Sequence, residues 1–175
     1  MALVVPVGMQ APYLRPSRIL PEHRLDGFDS GKPALDAWLR AKALDNEGKA
    51  SRTYVVSTDA GVVAAYYTLA TGHVVRTDVP GKHRHGLPNP VPVMVLGRLA
   101  VDRAHAGRRL GEAMLKEAMT RTLEAAEIAG IRALIVHAID EAAAGFYIRY
   151  GFQLFPPGSL TLFLPIETIA KAAAG

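Results

Sequence analysis

The chain has 175 residues, 50% of them hydrophobic and 21% charged, which predicts one soluble globular domain spanning 1–175 rather than a disordered or repetitive protein. It contains no cysteine, so disulfides, thiolate metal sites and cysteine nucleophiles are excluded. The formal net charge is +4. The opening residues, MALVVPVGMQAP, lack the basic start of a secretory signal, and Pro6 breaks their apolar run. No apolar run approaches the ~18 residues that suggest a membrane span, so a cytoplasmic location and no membrane partner are expected.

In chain order, DSGKPALDAWLRAKALDNEG predicts a short amphipathic helix, with Pro33 in its first turn, Leu35, Trp38, Leu39 and Leu44 near helical spacing, and Gly48 as the stop. Trp38 reads as core, with stacking on a nucleotide as the other reading. SRTYVVSTDAGVVAAYYTLATG predicts two strands joined by a turn at Thr58-Asp59-Ala60-Gly61. The proline-rich RTDVPGKHRHGLPNPVP is a loop. VPVMVLGRLAVD is a central strand buried on both faces, interrupted by Gly97 and Arg98. From Leu110 to Ala129 a stripe of Met114, Leu115, Ala118, Met119, Thr122, Ala125 and Ala126 predicts a long helix that stops at Gly130. IRALIVHA is a second buried strand, DEAAAGFYIRY a short helix closed by Gly151, and FQLF and LTLFLPI are two final strands.

Strand, crossover helix and strand make a right-handed βαβ unit with parallel strands, and the expected ligand position is where the first of those strands ends. That point is AHAGRRLGEAML, a glycine-bearing loop running into a helix. Backbone N–H groups there, with the positive end of the helix dipole, suit phosphates. From Arg76 to Arg109 the chain also concentrates Arg76, Lys82, Arg84, Arg98, Arg103, Arg108 and Arg109 against only Asp78 and Asp102. This makes a candidate anion-binding face. The histidines, among them His73, His83, His85, His105 and His137, show no recognised metal spacing, and no metal is expected. His137, at the end of a buried strand, reads as a satisfied core residue.

LAVDRAHAGRRLGEAMLKEA followed by AAAGFYIRYGF resembles the acetyl-CoA core of the GNAT acetyltransferases, whose motif Q/R-x-x-G-x-G/A joins a strand to a helix and whose later helix carries a tyrosine. Further segments, including FDSGKPALDAWLRAKALDNEGKASRTYVV, YYTLATGHV, NPVPVMVLGRLAVD and TLFLPI, resemble the acetyltransferase toxins of type II toxin–antitoxin modules, which acetylate aminoacyl-tRNA. The resemblance runs from about Phe28 to Ile166. It implies a mixed α/β fold with splayed central parallel strands. It implies acetyl-CoA held by Ala106, Gly107, Arg108, Arg109, Leu110, Gly111 and Glu112, with backbone groups of Leu99, Ala100 and Val101 along the pantetheine arm.

Within that motif Ala106 stands at the Q/R position and Arg109 at the first glycine. If Arg109 is helical the cradle is intact and gains a cation; if it is forced left-handed, strain favours a weak-binding module. Tyr147 falls at the family's general acid, its other reading being a core tyrosine beside Phe146 and Phe152. Tyr150 is read as structural. Asp140 falls near coenzyme A in the family or is the N-cap of its helix. Arg98 is either paired with an acid inside the fold or free for an RNA phosphate. Arg76, Lys82, Arg84 and Arg98, with Lys42 and Arg52, are the candidates for tRNA. The resemblance also implies a ribbon-helix-helix antitoxin that binds operator DNA, and a homodimer. The alternatives are acetylation of a protein amine or polyamine, or a catalytically weak co-repressor.

Overall fold

The computed structural model describes residues 13–175; the N-terminal stretch read above for a signal sequence lies outside them. The elements are β1 (Ser17–Arg18), α1 (Pro33–Asn46), β2 (Ser51–Ser57), β3 (Val63–Val74), β4 (Val91–Val101), α2 (Leu110–Ala129), β5 (Ala133–His137), α3 (Glu141–Ile148), β6 (Gln153–Leu154), β7 (Thr161–Pro165) and α4 (Ile166–Ala174). The strands are hydrogen-bonded in the order β1-β2-β3-β4-β5-β7-β6. This is the mixed α/β fold expected. By packing, the residues fall into two compact units, one holding the described residues up to Leu69 with Arg98–Ala118, the other Ala70–Gly97 with Met119–Gly175.

In the first unit, α1 starts where Pro33 fixes φ and ends at Glu47, before Gly48 with φ of 82°. Its buried positions are Asp36, Leu39 and Ala43, whereas Leu44, expected on the apolar face, is exposed. Asp36 is tolerated inside because its carboxylate accepts from the Ser30 N–H at 3.0 Å and the Ser30 hydroxyl at 2.6 Å. The turn between β2 and β3 closes as predicted, with Gly61 N–H on the Thr58 carbonyl at 2.9 Å. Ile19, Phe28, Leu39, Val55, Val63, Tyr66 and Ala100 form this unit's core.

In the second unit, β5 pairs parallel with β4 over Met94–Leu96 and antiparallel with β7 from Ala133 to His137. Past Leu96, its last β5 partner, β4 runs on to Val101. Gly72 is needed in β3, since a Cβ there would sit 3.0 Å from a Val95 methyl. Val79, Val91, Val93, Ala133, Ile135 and Phe163 form the core. The proline-rich segment is a loop that contains two 3₁₀ turns, Arg76–Asp78 and Gly81–His83. The helix α4 directly after β7 was not anticipated; it buries Ile166 and Ile169. His137 departs from its reading as core: it is exposed, with Nδ1 3.0 Å from Thr161 Oγ1.

Candidate active site

The loop between β4 and α2 is shaped by a buried carboxylate. Asp102 donates its N–H to the Ala64 carbonyl at 2.8 Å, and its side chain accepts from the N–H groups of Ala104 at 2.8 Å and Asp29 at 3.0 Å. This caps the 3₁₀ turn Arg103–His105. The Arg103 N–H donates to the Asp29 carbonyl at 2.9 Å and its guanidinium pairs with the Asp29 carboxylate. That bond, helped by the Gly31 N–H, lowers the Asp29 pKa below the usual carboxylate range.

Beyond Ala106, whose backbone is extended, the chain enters left-handed geometry at Gly107 with φ of 78° and again at Arg109 with φ of 61°. Helix α2 then begins at Leu110. The N–H groups of Gly107 to Glu112 donate to no acceptor among the described residues. Unsatisfied N–H groups around a helix N-terminus fit an anionic phosphate ester, so the residues present suit the nucleotide end of acetyl-CoA. Arg109 is therefore not helical. A non-glycine residue in this region costs roughly 1–2 kcal/mol. Of the two geometries considered, the left-handed one is present, and its strain falls on the residue that precedes α2. Glu112 pairs with Lys116 at 2.9 Å, and this bond, with the charges of Lys116 and Arg109, lowers its pKa against the effect of burial.

Upstream on β4, Ala100 is buried while Leu99 and Val101 are half-buried. The Arg98 guanidinium lies 3.9 Å from the centre of the Trp38 ring, and Trp38 stacks on Tyr66 at 6.1 Å with 11° between planes. No acid pairs with Arg98 among the described residues, which corrects the reading of an internal ion pair. Burial lowers the Arg98 pKa, partly offset by the Tyr66 hydroxyl. Trp38 is partly buried against the core and is covered by Arg98, so it serves as a platform for a cation.

In the second unit, Asp140 is the N-cap of α3, its carboxylate accepting from the Ala143 N–H at 2.8 Å. The Tyr147 ring is buried, edge-on to Phe146 at 5.2 Å and Phe152 at 5.5 Å. Its hydroxyl has no hydrogen-bond partner among the described residues. Burial pushes the phenol up, so the proton is retained throughout neutral pH. Tyr150 is half-buried and packs against Phe146 at 5.2 Å.

The six basic candidates are not equivalent. Arg76 donates to the Leu87 carbonyl at 3.2 Å, and Arg84 to the carbonyls of Thr77 and Val79, both at 3.0 Å; these two hold the proline-rich loop in shape. Lys82 lines a pocket on that loop with His83, His85, Arg132 and Glu167, where burial and Lys82 lower the His83 pKa. Lys42 is exposed on α1, and Arg52 donates to the carbonyls of Lys49 and Ser51 at 2.8 and 3.2 Å. Among the described residues no cluster of His, Asp or Glu could hold a metal, and no helix is long and apolar enough to cross a membrane. Sequence reasoning overlooked Tyr13, Asp29 and Glu117. Glu117 is buried in α2 and accepts from the Tyr67 hydroxyl at 2.7 Å.

The profile of the acetyltransferase (GNAT) domain matches residues 49–154. The chain belongs to the GNAT acetyltransferase family. A curated GNAT relative, the tRNA-acetylating toxin of Mycobacterium tuberculosis, is 42% identical over 164 residues, covering 93% of this chain and 98% of its own. Among solved structures, a tyrosine-to-phenylalanine mutant of KacT superposes with a TM-score of 0.86 at 27% identity, covering 92% of this chain and 99% of KacT. AtaT complexed with acetyl-methionyl-tRNAfMet gives 0.84 at 28% identity with the same coverage. Other structures of these two proteins hold acetyl-CoA, the C-terminus of the antitoxin AtaR, or DNA together with the antitoxin. The present chain is thus an acetyl-CoA-dependent N-acetyltransferase.

Proposed function

We propose that this enzyme acetylates the α-amino group of aminoacyl-tRNA and thereby blocks translation. The observation that carries the reading is the run of unengaged N–H groups from Gly107 to Glu112 in a chain that matches a tRNA-acetylating toxin along nearly its whole length. Acetyl-CoA supplies the activated acetyl thioester. The loop binds the phosphates through backbone N–H groups with Arg108 and Arg109 beside them. Backbone groups of Leu99, Ala100 and Val101 orient the pantetheine arm, and Tyr147 gives its proton to the departing thiolate. Asp140, engaged as a helix cap, fixes the start of the helix that carries Tyr147. The acceptor amine must be neutral to attack, and the α-amine of an aminoacyl ester loses its proton readily.

Lys82, Arg98 and Lys42 offer charge for tRNA phosphates, whereas Arg76, Arg84 and Arg52 act mainly through the backbone they hold. A ribbon-helix-helix antitoxin that occludes the site and binds operator DNA, a homodimeric state and a cytoplasmic location complete the reading. The test is incubation with acetyl-CoA and a pool of charged tRNAs, followed by mass spectrometry of the released amino acids. N-acetylated amino acids are expected; their absence while a peptide or polyamine is acetylated overturns the tRNA reading. Absence of acetyl-CoA binding by calorimetry removes both enzymatic readings in favour of a co-repressor.

A further inference from the structure

Arg108 stands in the phosphate loop but is tied to a residue far away in sequence. Its Nη1 donates to the Tyr13 hydroxyl at 3.0 Å, across 95 positions, with the guanidinium carbon 5.8 Å from the Tyr13 ring centre. The same hydroxyl lies 2.6 Å from Nδ1 of His105, whose ring meets Tyr13 edge-on at 5.4 Å. The Tyr13 oxygen carries one proton and two lone pairs, enough to accept from Arg108 and still make the bond to Nδ1 of His105 in either tautomer. Tyr13 is itself buried and pinned, bridging to Thr58, while the next N–H, of Leu14, donates to the Ser57 carbonyl at 2.8 Å.

Arg108 is surface-exposed, and two things work against holding it where it is. Arg109 is a like charge beside it, and the helix N-terminus is the wrong end for a cation unless an anion arrives. A hydrogen-bonded chain that nonetheless fixes this side chain orders it before ligand binds, which removes an entropy loss from the binding step. One guanidinium N–H group is used by Tyr13, and the others remain for phosphate oxygens.

We propose that Tyr13 and His105 are positioning residues that hold Arg108 ready for a phosphate of the coenzyme A nucleotide. This rests on the loop being the acetyl-CoA cradle. Calorimetric binding of CoA and of 3′-dephospho-CoA, with steady-state kinetics on charged tRNA, tests it in four variants: Tyr13→Phe, His105→Ala, Arg108→Gln, and Tyr13→Phe with Arg108→Gln. Tyr13→Phe keeps the buried ring, and His105→Ala alters a half-buried residue of the turn Arg103–His105, so one variant guards against misfolding of the other. Each single change is expected to weaken CoA about fivefold, the scale of one hydrogen bond, with the loss in KM for acetyl-CoA and not in kcat. The double variant is expected to be no weaker than Arg108→Gln alone. A penalty that vanishes with 3′-dephospho-CoA assigns Arg108 to the 3′-phosphate; one that persists assigns it to the pyrophosphate. Unchanged CoA affinity in both Tyr13→Phe and His105→Ala, or a Tyr13→Phe penalty fully additive to that of Arg108→Gln, overturns the proposal. Wild-type protein that fails to bind CoA at all overturns the cradle instead.

Discussion

The left-handed backbone at Arg109 has a consequence whose sign is diagnostic. Arg109→Gly and Arg109→Ala both remove the same cation from the start of α2, so their charge effects cancel in the comparison. What differs is the backbone. In left-handed geometry alanine retains a strain of roughly 1–2 kcal/mol, whereas glycine loses it at the expense of about 0.5–1 kcal/mol of extra chain entropy in the unfolded state. Arg109→Gly is therefore expected to be more stable than Arg109→Ala by about 1 kcal/mol, or some 2–4 °C in Tm for a chain of this size. In helical geometry the order reverses, since glycine is then about 0.5–1 kcal/mol worse than alanine. Urea and thermal denaturation without ligand measure the difference, and calorimetry with acetyl-CoA shows whether both variants lose the same affinity. Alanine above glycine refutes the strained-loop argument.

Tyr147→Phe should leave acetyl-CoA binding intact and cut turnover by about 10²-fold to 10⁴-fold; unchanged single-turnover rates would remove the acid role. Because burial raises the folded-state pKa of Tyr147, folding is favoured fully below the unfolded value of about 10 and loses that contribution as pH climbs beyond it. Alkaline unfolding curves of Tyr147→Phe should be correspondingly flatter above pH of about 10. Arg98→Lys replaces a planar guanidinium over Trp38 with a point charge and should cost about 1 kcal/mol of stability by urea titration; no change would mean that the stack carries no energy. Lys82→Ala should lower the slope of log affinity for tRNA against log salt by about 1, and an unaltered slope would place Lys82 away from the RNA.

Elements with a strong local signal were legible from the letters. Pro33 and Gly48 bounded α1, the Leu110–Ala129 stripe ended at Gly130, and the turn at Gly61 followed from its dipeptide chemistry. Helix α4 was not legible because it continues a strand at Pro165 without a polar cap and its alanine-rich sequence carries few apolar anchors. In the candidate site, the loop and Tyr147 were visible through motif and order. Arg98 was misread in one alternative because its stabilising partner is an aromatic ring contributed by α1, which no charge count reveals. The burial of Asp36 depends on Ser30, a loop residue whose orientation only the fold determines. His137 follows a buried run yet is exposed, being the last residue of β5, where cover on both faces stops.

The anchoring of Asp102 explains how the loop tolerates unusual letters. Its carboxylate ties the turn after β4 to Asp29 and Ala104, so the path into the cradle is dictated from outside the motif. Ala106 and Arg109 stand just beyond that anchored turn, where the family motif has a long polar side chain and a glycine. In this chain the distant acid and the segment it grips set the course of the turn ahead of the loop, independently of the glycine spacing within it.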